Sequence, residues 1–407
     1  MTRLTVSYLA ARGDGVALRD GGVPVFVPES APGDTVLLNE AGRVAVIEPG
    51  PNRATPACPH FGACGGCTLQ HIAEPLYRRW LSDRILTALE QHGVTVGHVE
   101  PTHLSPPGAR RRASLRAVKK GGTVGIGFNA ERSHTLVDIR ACPVLHPRLY
   151  QVADAVRSFL PPRMRESQAV GVQMTQTDSG VDLLLTNLSA DKLPEIEALT
   201  TFAEAQDLAR LSIEGPLGVD IIAERRAPIL HFDGVPVRLP PACFTQATAD
   251  GEAALIAATI LAAGPQGPIA DLFAGLGTLS LPLSRIAPVE AIDAAKPALG
   301  ALERAAREHG RPVSVTHRDL FRRPLQPSEL KRYATAVVDP PRAGAEAQAA
   351  ALAASTLARV VMVSCNPNSF ARDARLLTDG GFRLERLWPV GQFLWSTHVE
   401  LVAQFSR

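Results

Sequence analysis

Cys365 sits in Val363-Ser364-Cys365-Asn366-Pro367, immediately after an apolar run over 359–364. That run reads as a buried parallel strand, and open α/β sheets hold their ligands at the carboxyl ends of such strands. A thiol in that position can serve as a nucleophile. A lone buried cysteine is more often a small core residue, but Cys365 lies beyond the apolar run and not inside it. Two more segments of the same half end their strands in residues suited to chemistry. Residues 269–278, Ile-Ala-Asp-Leu-Phe-Ala-Gly-Leu-Gly-Thr, read as a strand entering a tight turn, where Gly275 and Gly277 let backbone approach a ligand. Residues 337–344, Val-Val-Asp-Pro-Pro-Arg-Ala-Gly, stop a strand with two prolines and hold Asp339 at the sheet edge. Taken without its neighbours, that segment is an ordinary strand-end turn. Nucleophile, ligand loop and fixed carboxylate together point to covalent catalysis beside a bound cofactor.

A Gly-x-Gly pair alone is a weak signal. Its continuation is stronger: Asp293 closes the following strand, where a carboxylate can accept hydrogen bonds from ribose hydroxyls. A dinucleotide fingerprint would carry a third glycine, whereas Leu279 and Ser280 follow Thr278 here. The segment therefore resembles the nucleoside-binding loop of class I S-adenosylmethionine-dependent methyltransferases more than a dinucleotide site.

The chain has six cysteines. Cys58, Cys64 and Cys67 share one loop, Cys142 stands apart, and Cys243 and Cys365 are single. In a chain expected to be cytoplasmic, such clustering favours metal binding or catalysis over disulfides. Structural zinc sites also use Cys-x2-Cys spacing, usually as two pairs. Three cysteines in one loop with a fourth arriving alone also suit an iron–sulfur cluster. Spacing leaves both open. Cys243 reads as a core residue.

The elements that must position these residues fall into three regions. Residues 1–52 read as short alternating strands with turn punctuation, the pattern of a small β-barrel. Residues 53–243 read as an α+β central domain, with a helix over 74–92 ending at Gly93. Between residues 104 and 150, Arg110, Arg111, Arg112, Arg116, Lys119, Lys120, Arg132, Arg140 and Arg148 face only Glu131 and Asp138. Such an excess suits a polyanion such as RNA, or a solvated charged surface. Residues 244–407 alternate strands and helices, predicting a doubly wound α/β sheet closed by a hairpin of strands 382–390 and 394–405. The 407-residue chain has a formal charge of +2, and its longest apolar stretch, 253–263, is too short to span a bilayer. With no signal-like N-terminus, the expectation is a cytoplasmic protein, away from membranes, with no obligate protein partner.

In order along the chain stand Cys58-x5-Cys64-Gly-Gly-Cys67, Cys142-Pro143, Phe244-Thr245-Gln246, Asp-Leu-Phe-x-Gly-x-Gly, Asp-Pro-Pro-Arg-Ala-Gly, Ser-Cys-Asn-Pro and His398-Val399-Glu400. Together they resemble the RNA 5-methyluridine methyltransferases, in particular the iron–sulfur-bearing branch that modifies 23S ribosomal RNA. The resemblance implies an N-terminal TRAM domain and a central RNA-binding domain. It implies that Cys58, Cys64, Cys67 and Cys142 hold a [4Fe–4S] cluster, and that the helical segment 70–101 packs on the catalytic domain. It implies a class I methyltransferase domain using S-adenosylmethionine, with Gln246, Phe273, Gly275, Gly277, Thr278, Asp293, Asp319 and Asp339 at the cofactor. Relatives carry amide-bearing residues at the positions of Thr278 and Asp319. It implies Cys365 as nucleophile toward uracil carbon-6 and Glu400 as the base removing the carbon-5 proton, with His398 a candidate to orient it. Three other readings remain open on the sequence: the T-loop uridine of transfer RNA, an amine-directed methyltransferase, and a non-catalytic RNA-binding protein.

Overall fold

The computed structural model describes residues 1–39, 44–215, 218–265 and 267–407. Strands β1 (Thr2–Leu9), β2 (Gly15–Leu18), β3 (Pro24–Val27), β4 (Thr35–Leu38) and β5 (Val44–Glu48) form one antiparallel sheet in the order β3-β2-β1-β4-β5. A register shift between Val6 and Tyr8 bends β1. The concave side closes over a small core of Val6, Ala17, Val27 and Val36.

Helix α1 (Glu74–Gln91) buries Tyr77, Trp80, Leu81, Ile85, Ala88 and Leu89, a stripe at helical spacing. It ends where Gly93 takes the left-handed conformation (φ 67°) that favours glycine after a helix. The stripe packs in one core with Phe370, Leu377 and Leu384 from the C-terminal half. Strands β6 (Val96–Val99) and β7 (His103–Leu104) follow.

The middle of the chain builds a second sheet from β8 (Arg112–Lys120), β9 (Thr123–Asn129), β10 (Leu136–Asp138), β11 (Ala169–Thr177), β12 (Gly180–Thr186), β13 (Arg210–Gly215) and β14 (Gly218–Glu224), in the order β10-β9-β8-β11-β12-β13-β14. Helices α2 (Pro147–Phe159) and α3 (Leu193–Ala205) cover one face, so alternate residues such as Ala113, Leu115, Val172, Leu183 and Leu211 are buried. The other face presents Arg112, Ser114 and Arg116 from β8 beside Gln173 and Thr175 from β11. Arg111 fastens this sheet to the C-terminal half through Glu252 at 2.6 Å and a backbone bond to Ala247. A hairpin of β15 (Ile229–Phe232) and β16 (Val235–Arg238) turns at Asp233-Gly234, both at positive φ as a two-residue hairpin turn requires.

The third sheet carries the chemistry. Its elements are α4 (Ala249–Ala263), β17 (Ile269–Leu272), α5 (Ser280–Leu283), β18 (Val289–Asp293), α6 (Lys296–Glu308), β19 (Val313–His317), α7 (Pro327–Leu330), β20 (Thr335–Val338), α8 (Glu346–Ala353), β21 (Arg359–Ser364), α9 (Pro367–Asp379), β22 (Arg383–Gly391) and β23 (Glu400–Ser406). The strand order is β19-β18-β17-β20-β21-β23-β22-β6, with β7 also on β22. β17 to β21 run parallel, and β23 enters antiparallel between β21 and β22. Chain order reverses between β17 and β20, the crevice where doubly wound sheets bind ligands. The hairpin β15–β16 packs on α6. Among the described residues no helix is long and apolar enough to cross a membrane.

One expected element is shorter than its pattern. The last strand begins at Glu400 and not at 394, because residues 392–399 form a clamped loop. Trp395 has a left-handed φ of 58° that a strand does not accommodate. The Leu69 amide donates to the Trp395 carbonyl at 2.9 Å, the Tyr77 hydroxyl to the Ser396 carbonyl at 2.7 Å, and Arg84 to the Thr397 carbonyl.

Candidate active site

The sheet register assembles the site. Leu272 of β17 pairs with both Ile292 and Val338, so one step onward Phe273, Asp293 and Asp339 emerge in a row at the switch point. Ser364 pairs with Leu401 across the antiparallel β21–β23 ladder, so the next step sets Cys365 beside Glu400. These side chains open into a cavity of about 800 Å³, which Gln246, Gly275, Thr278 and Asp319 also line.

On the cofactor side, Asp293 accepts from the Gly275 amide at 2.8 Å and from the Ala295 amide at 2.7 Å, locking the glycine loop to the end of β18. Phe273 holds a left-handed φ of 65° and packs its ring 5.3 Å from that of Phe321. Phe321, which no motif in the sequence marks, thus supplies half of an aromatic clamp at the cavity wall. Asp319 accepts from the Phe321 and Arg322 amides through Oδ1, which shapes its own turn. Thr278 is half-buried and its hydroxyl makes no hydrogen bond among the described residues. Gly277 is the exception among the expected cofactor residues. It does not line the cavity; a Cβ there would meet Leu302 at 2.3 Å, and its φ is 84°. Close packing of α6 explains this glycine.

The cavity is lined by acids. Burial pushes Asp339 up to about 7, with Asp293 adding to it. Burial likewise lifts Glu400 to about 8, again helped by its neighbour Asp339. Asp271, fully buried beneath the glycine loop, is lifted to about 7, and its Oδ1 has no partner. Cys365 is raised to about 11 by burial, then by Glu400 and Asp339, while Arg342 opposes. A site in which carboxylates repel one another is prepared for a cation. The sign follows from linkage: a cation favours the ionised acids, so its binding expels protons below their free-state values. S-adenosylmethionine, a sulfonium, is expected to bind about tenfold more weakly at pH 6 than at pH 8, with proton release on binding. Calorimetry in buffers of different ionisation enthalpy measures both. A pH-independent affinity without proton release would contradict this electrostatic account.

Gln392, and not His398, is the polar side chain that favours the Glu400 carboxylate. Gln392 is 2% exposed; its Oε1 accepts from the Ala247 amide at 3.0 Å and its Nε2 donates to Gln246 Oε1 at 2.8 Å. The same side chain lies close enough to Glu400 to favour its carboxylate. One carboxamide thereby ties the candidate base to a candidate cofactor residue. His398 lines the cavity mouth with its ring 5.7 Å from Phe393, and its side chain makes no hydrogen bond among the described residues. Cys243, expected in the core, lines the cavity wall as well.

Cys58, Cys64, Cys67 and Cys142 are free and partly buried. Burial raises Cys67 to about 12, and Cys142, Cys64 and Cys58 are near enough to raise it further. Among the described residues no three His, Cys, Asp or Glu side chains gather closely enough to hold one metal ion. The Arg110 guanidinium, largely desolvated, interacts with Cys67 and Cys142 and lies 5.6 Å from the Phe393 ring.

The strand order, the ligand loop at the switch point and the acid-lined cavity define a class I methyltransferase. The solved structure of Pyrococcus abyssi tRNA (uracil-54, C5)-methyltransferase in complex with S-adenosyl-L-homocysteine has this fold, with a TM-score of 0.76 at 22% identity over 99% of each chain. Residues 235–406 match the family described as tRNA (Uracil-5-)-methyltransferase. The chain is 43% identical over 399 residues to an uncharacterized RNA methyltransferase of Zymomonas mobilis, covering 98% of each. It is 31% identical over 438 residues to the 23S rRNA (uracil(1939)-C(5))-methyltransferase RlmD of Bordetella bronchiseptica, covering 99% of this chain and 92% of the relative. The protein belongs to the uracil-5-methyltransferase family and is an S-adenosylmethionine-dependent RNA methyltransferase.

Proposed function

We propose that the protein methylates carbon-5 of a uridine in 23S ribosomal RNA through a covalent Cys365 adduct. The observation that carries the chemistry is the opening of Cys365, Glu400 and the glycine loop into one cavity. The base must leave its stack to enter, so an RNA loop is the expected substrate. Carbon-5 of uracil is a poor nucleophile on its own. Addition of the Cys365 thiolate to carbon-6 breaks the C5–C6 π bond and delivers its electrons to an enolate, making carbon-5 nucleophilic. When bound, S-adenosylmethionine would supply the methyl cation equivalent, and Gln246, Phe273, Asp293, Asp319 and Asp339 would hold it. Glu400 then takes the carbon-5 proton, and the returning electron pair expels the Cys365 thiolate.

The 23S assignment rests on the full-length relationship to the Bordetella enzyme. The N-terminal sheet, which we assign as a TRAM-like RNA-binding module, does not separate substrates, because the archaeal tRNA enzyme matches 99% of this chain. That likeness makes the T-loop uridine of transfer RNA the second reading. Incubating the purified protein with unmodified transcripts of each RNA, followed by nucleoside mass spectrometry, decides between them. 5-Methyluridine in the transfer RNA alone would overturn the ribosomal assignment.

We further propose that Cys58, Cys64, Cys67 and Cys142 hold a [4Fe–4S] cluster of structural role. A single tetrahedral zinc at about 2.3 Å needs its sulfurs tightly gathered, whereas the larger cluster takes four thiols at wider spacing. The same loop carries Leu69, which clamps the Trp395 carbonyl. Anaerobically purified protein should contain about four iron and four sulfide per chain. Cys142→Ala should lose that iron and unfold at lower temperature. Stoichiometric zinc without labile sulfide would overturn the assignment.

A further inference from the structure

A second cavity, of about 280 Å³, lies against the catalytic one. The two share a wall made of Arg112, Ala242, Cys243 and Phe244. Its floor is the uncovered face of the central sheet, where Ser114 stands opposite Gln173 and Arg112 opposite Thr175. The next strand adds Leu184 beside Gln173 and Asp182 beside Thr175. Asp182 is already committed to the Arg210 fork at 2.7 and 2.9 Å. The side chains of Ser114, Gln173 and Thr175, by contrast, make no hydrogen bond among the described residues. Gln173 and Ser114 are exposed, and nothing in the fold requires a polar pair there.

The wall is as specific as the floor. The Arg112 guanidinium stacks over the Phe244 ring at 4.3 Å, and Phe244 is 64% exposed. Arg112 donates no side-chain hydrogen bond among the described residues, although burial disfavours its charge. An exposed phenyl ring, a guanidinium plane, an unpaired carboxamide and an unpaired hydroxyl are the parts that hold an unstacked base. The plane stacks, and the carboxamide reads donor and acceptor positions on a base edge. The volume falls just below the usual range for drug-sized ligands, which suits a single base.

Resting on the reading of the first cavity as the seat of a flipped uridine, we propose that the second cavity captures the base of a nucleotide flanking that uridine, read by Gln173 and Ser114 against the Arg112–Phe244 stack. Capture of the neighbour holds the strand open while the target sits at Cys365, and it makes modification depend on sequence context.

The test uses the full-length protein and an RNA fragment spanning its target uridine, intact or with an abasic residue immediately 5′ or 3′ of it. Wild type should lose about tenfold in kcat/KM on one of the two abasic RNAs. The Gln173→Ala/Ser114→Ala double variant should lose about the same on intact RNA, mostly through KM, and lose nothing more on that abasic RNA. Its affinity for S-adenosylmethionine should equal that of wild type. Full additivity of the two losses, or indifference of wild type to both abasic sites, would overturn the proposal while leaving the uridine chemistry intact. Absence of methylation on every RNA would overturn both.

Discussion

A Cys365→Ala variant should methylate RNA on the order of 10⁴-fold or more slowly than wild type, while binding S-adenosylmethionine normally. The expectation follows from where the thiol sits. It lies one step beyond the last β21–β23 pair, in the cavity and beside Glu400. Cys365 is only partly buried, so removing its sulfur leaves little void and the fold should persist. On the proposed mechanism turnover should not persist, because Cys365 is the thiol that ends β21 beside Glu400. Among the described residues lining the cavity, Cys243 is the rival thiol. Burial raises it to about 11, with Asp293 adding to it. RNA carrying 5-fluorouridine separates the two, since fluorine cannot leave as a proton does and the adduct is trapped. The trapped band should vanish in Cys365→Ala and persist in Cys243→Ala; the reverse would make Cys243 the nucleophile. With the thiol at about 11 in the cofactor-free protein, adduct formation without cofactor should climb with pH throughout the neutral range.

Much of this site was legible because Asp293, Asp339 and Cys365 each stand at the end of an apolar run. Their strands have patterns that stand out in the chain, and parallel pairing brings such ends to one edge. What the sequence hides is whatever depends on distant packing. Leu394 and Trp395 read as strand, yet α1 and the cysteine loop, some three hundred positions earlier, hold residues 393–396 as a clamped loop. β6 is a faint pattern, Val96-Gly97-His98-Val99, that becomes a strand only because β22 offers it an edge. Gln392 carries no motif, and its importance appears only when one amide is seen to reach Ala247, Gln246 and Glu400. Gly277 has a packing reason that its spacing does not reveal. Its spacing fits a ligand loop, but the space it clears belongs to Leu302. Spacing cannot tell a glycine that admits a ligand from one that admits a helix.

Glu400→Gln should slow turnover by about 10²- to 10⁴-fold and accumulate a methylated protein–RNA adduct. Glutamine keeps the shape and fits the same site beside Gln392, while basicity is lost. In the cofactor-free protein, burial and Asp339 raise Glu400 to about 8, against the pull of Gln392 and of Arg112. A raised acid is protonated below that value, and in that state it cannot act as a base. A bound sulfonium would stabilise the carboxylate and lower the value, so the complex should be active at neutral pH. Loss of that positive charge on methyl transfer would withdraw the stabilisation. On the proposed mechanism Glu400 would then regain its affinity for a proton when carbon-5 must give one up. The pH–rate profile at saturating cofactor should therefore rise with an apparent value below about 8. In Glu400→Gln that limb should flatten. Mass spectrometry of the adduct decides the order of events, because a species carrying the extra methyl group places Glu400 after carbon–carbon bond formation. Loss of turnover with an unmethylated adduct, or with none, would put its essential role before methyl transfer and remove it as the base that restores the ring.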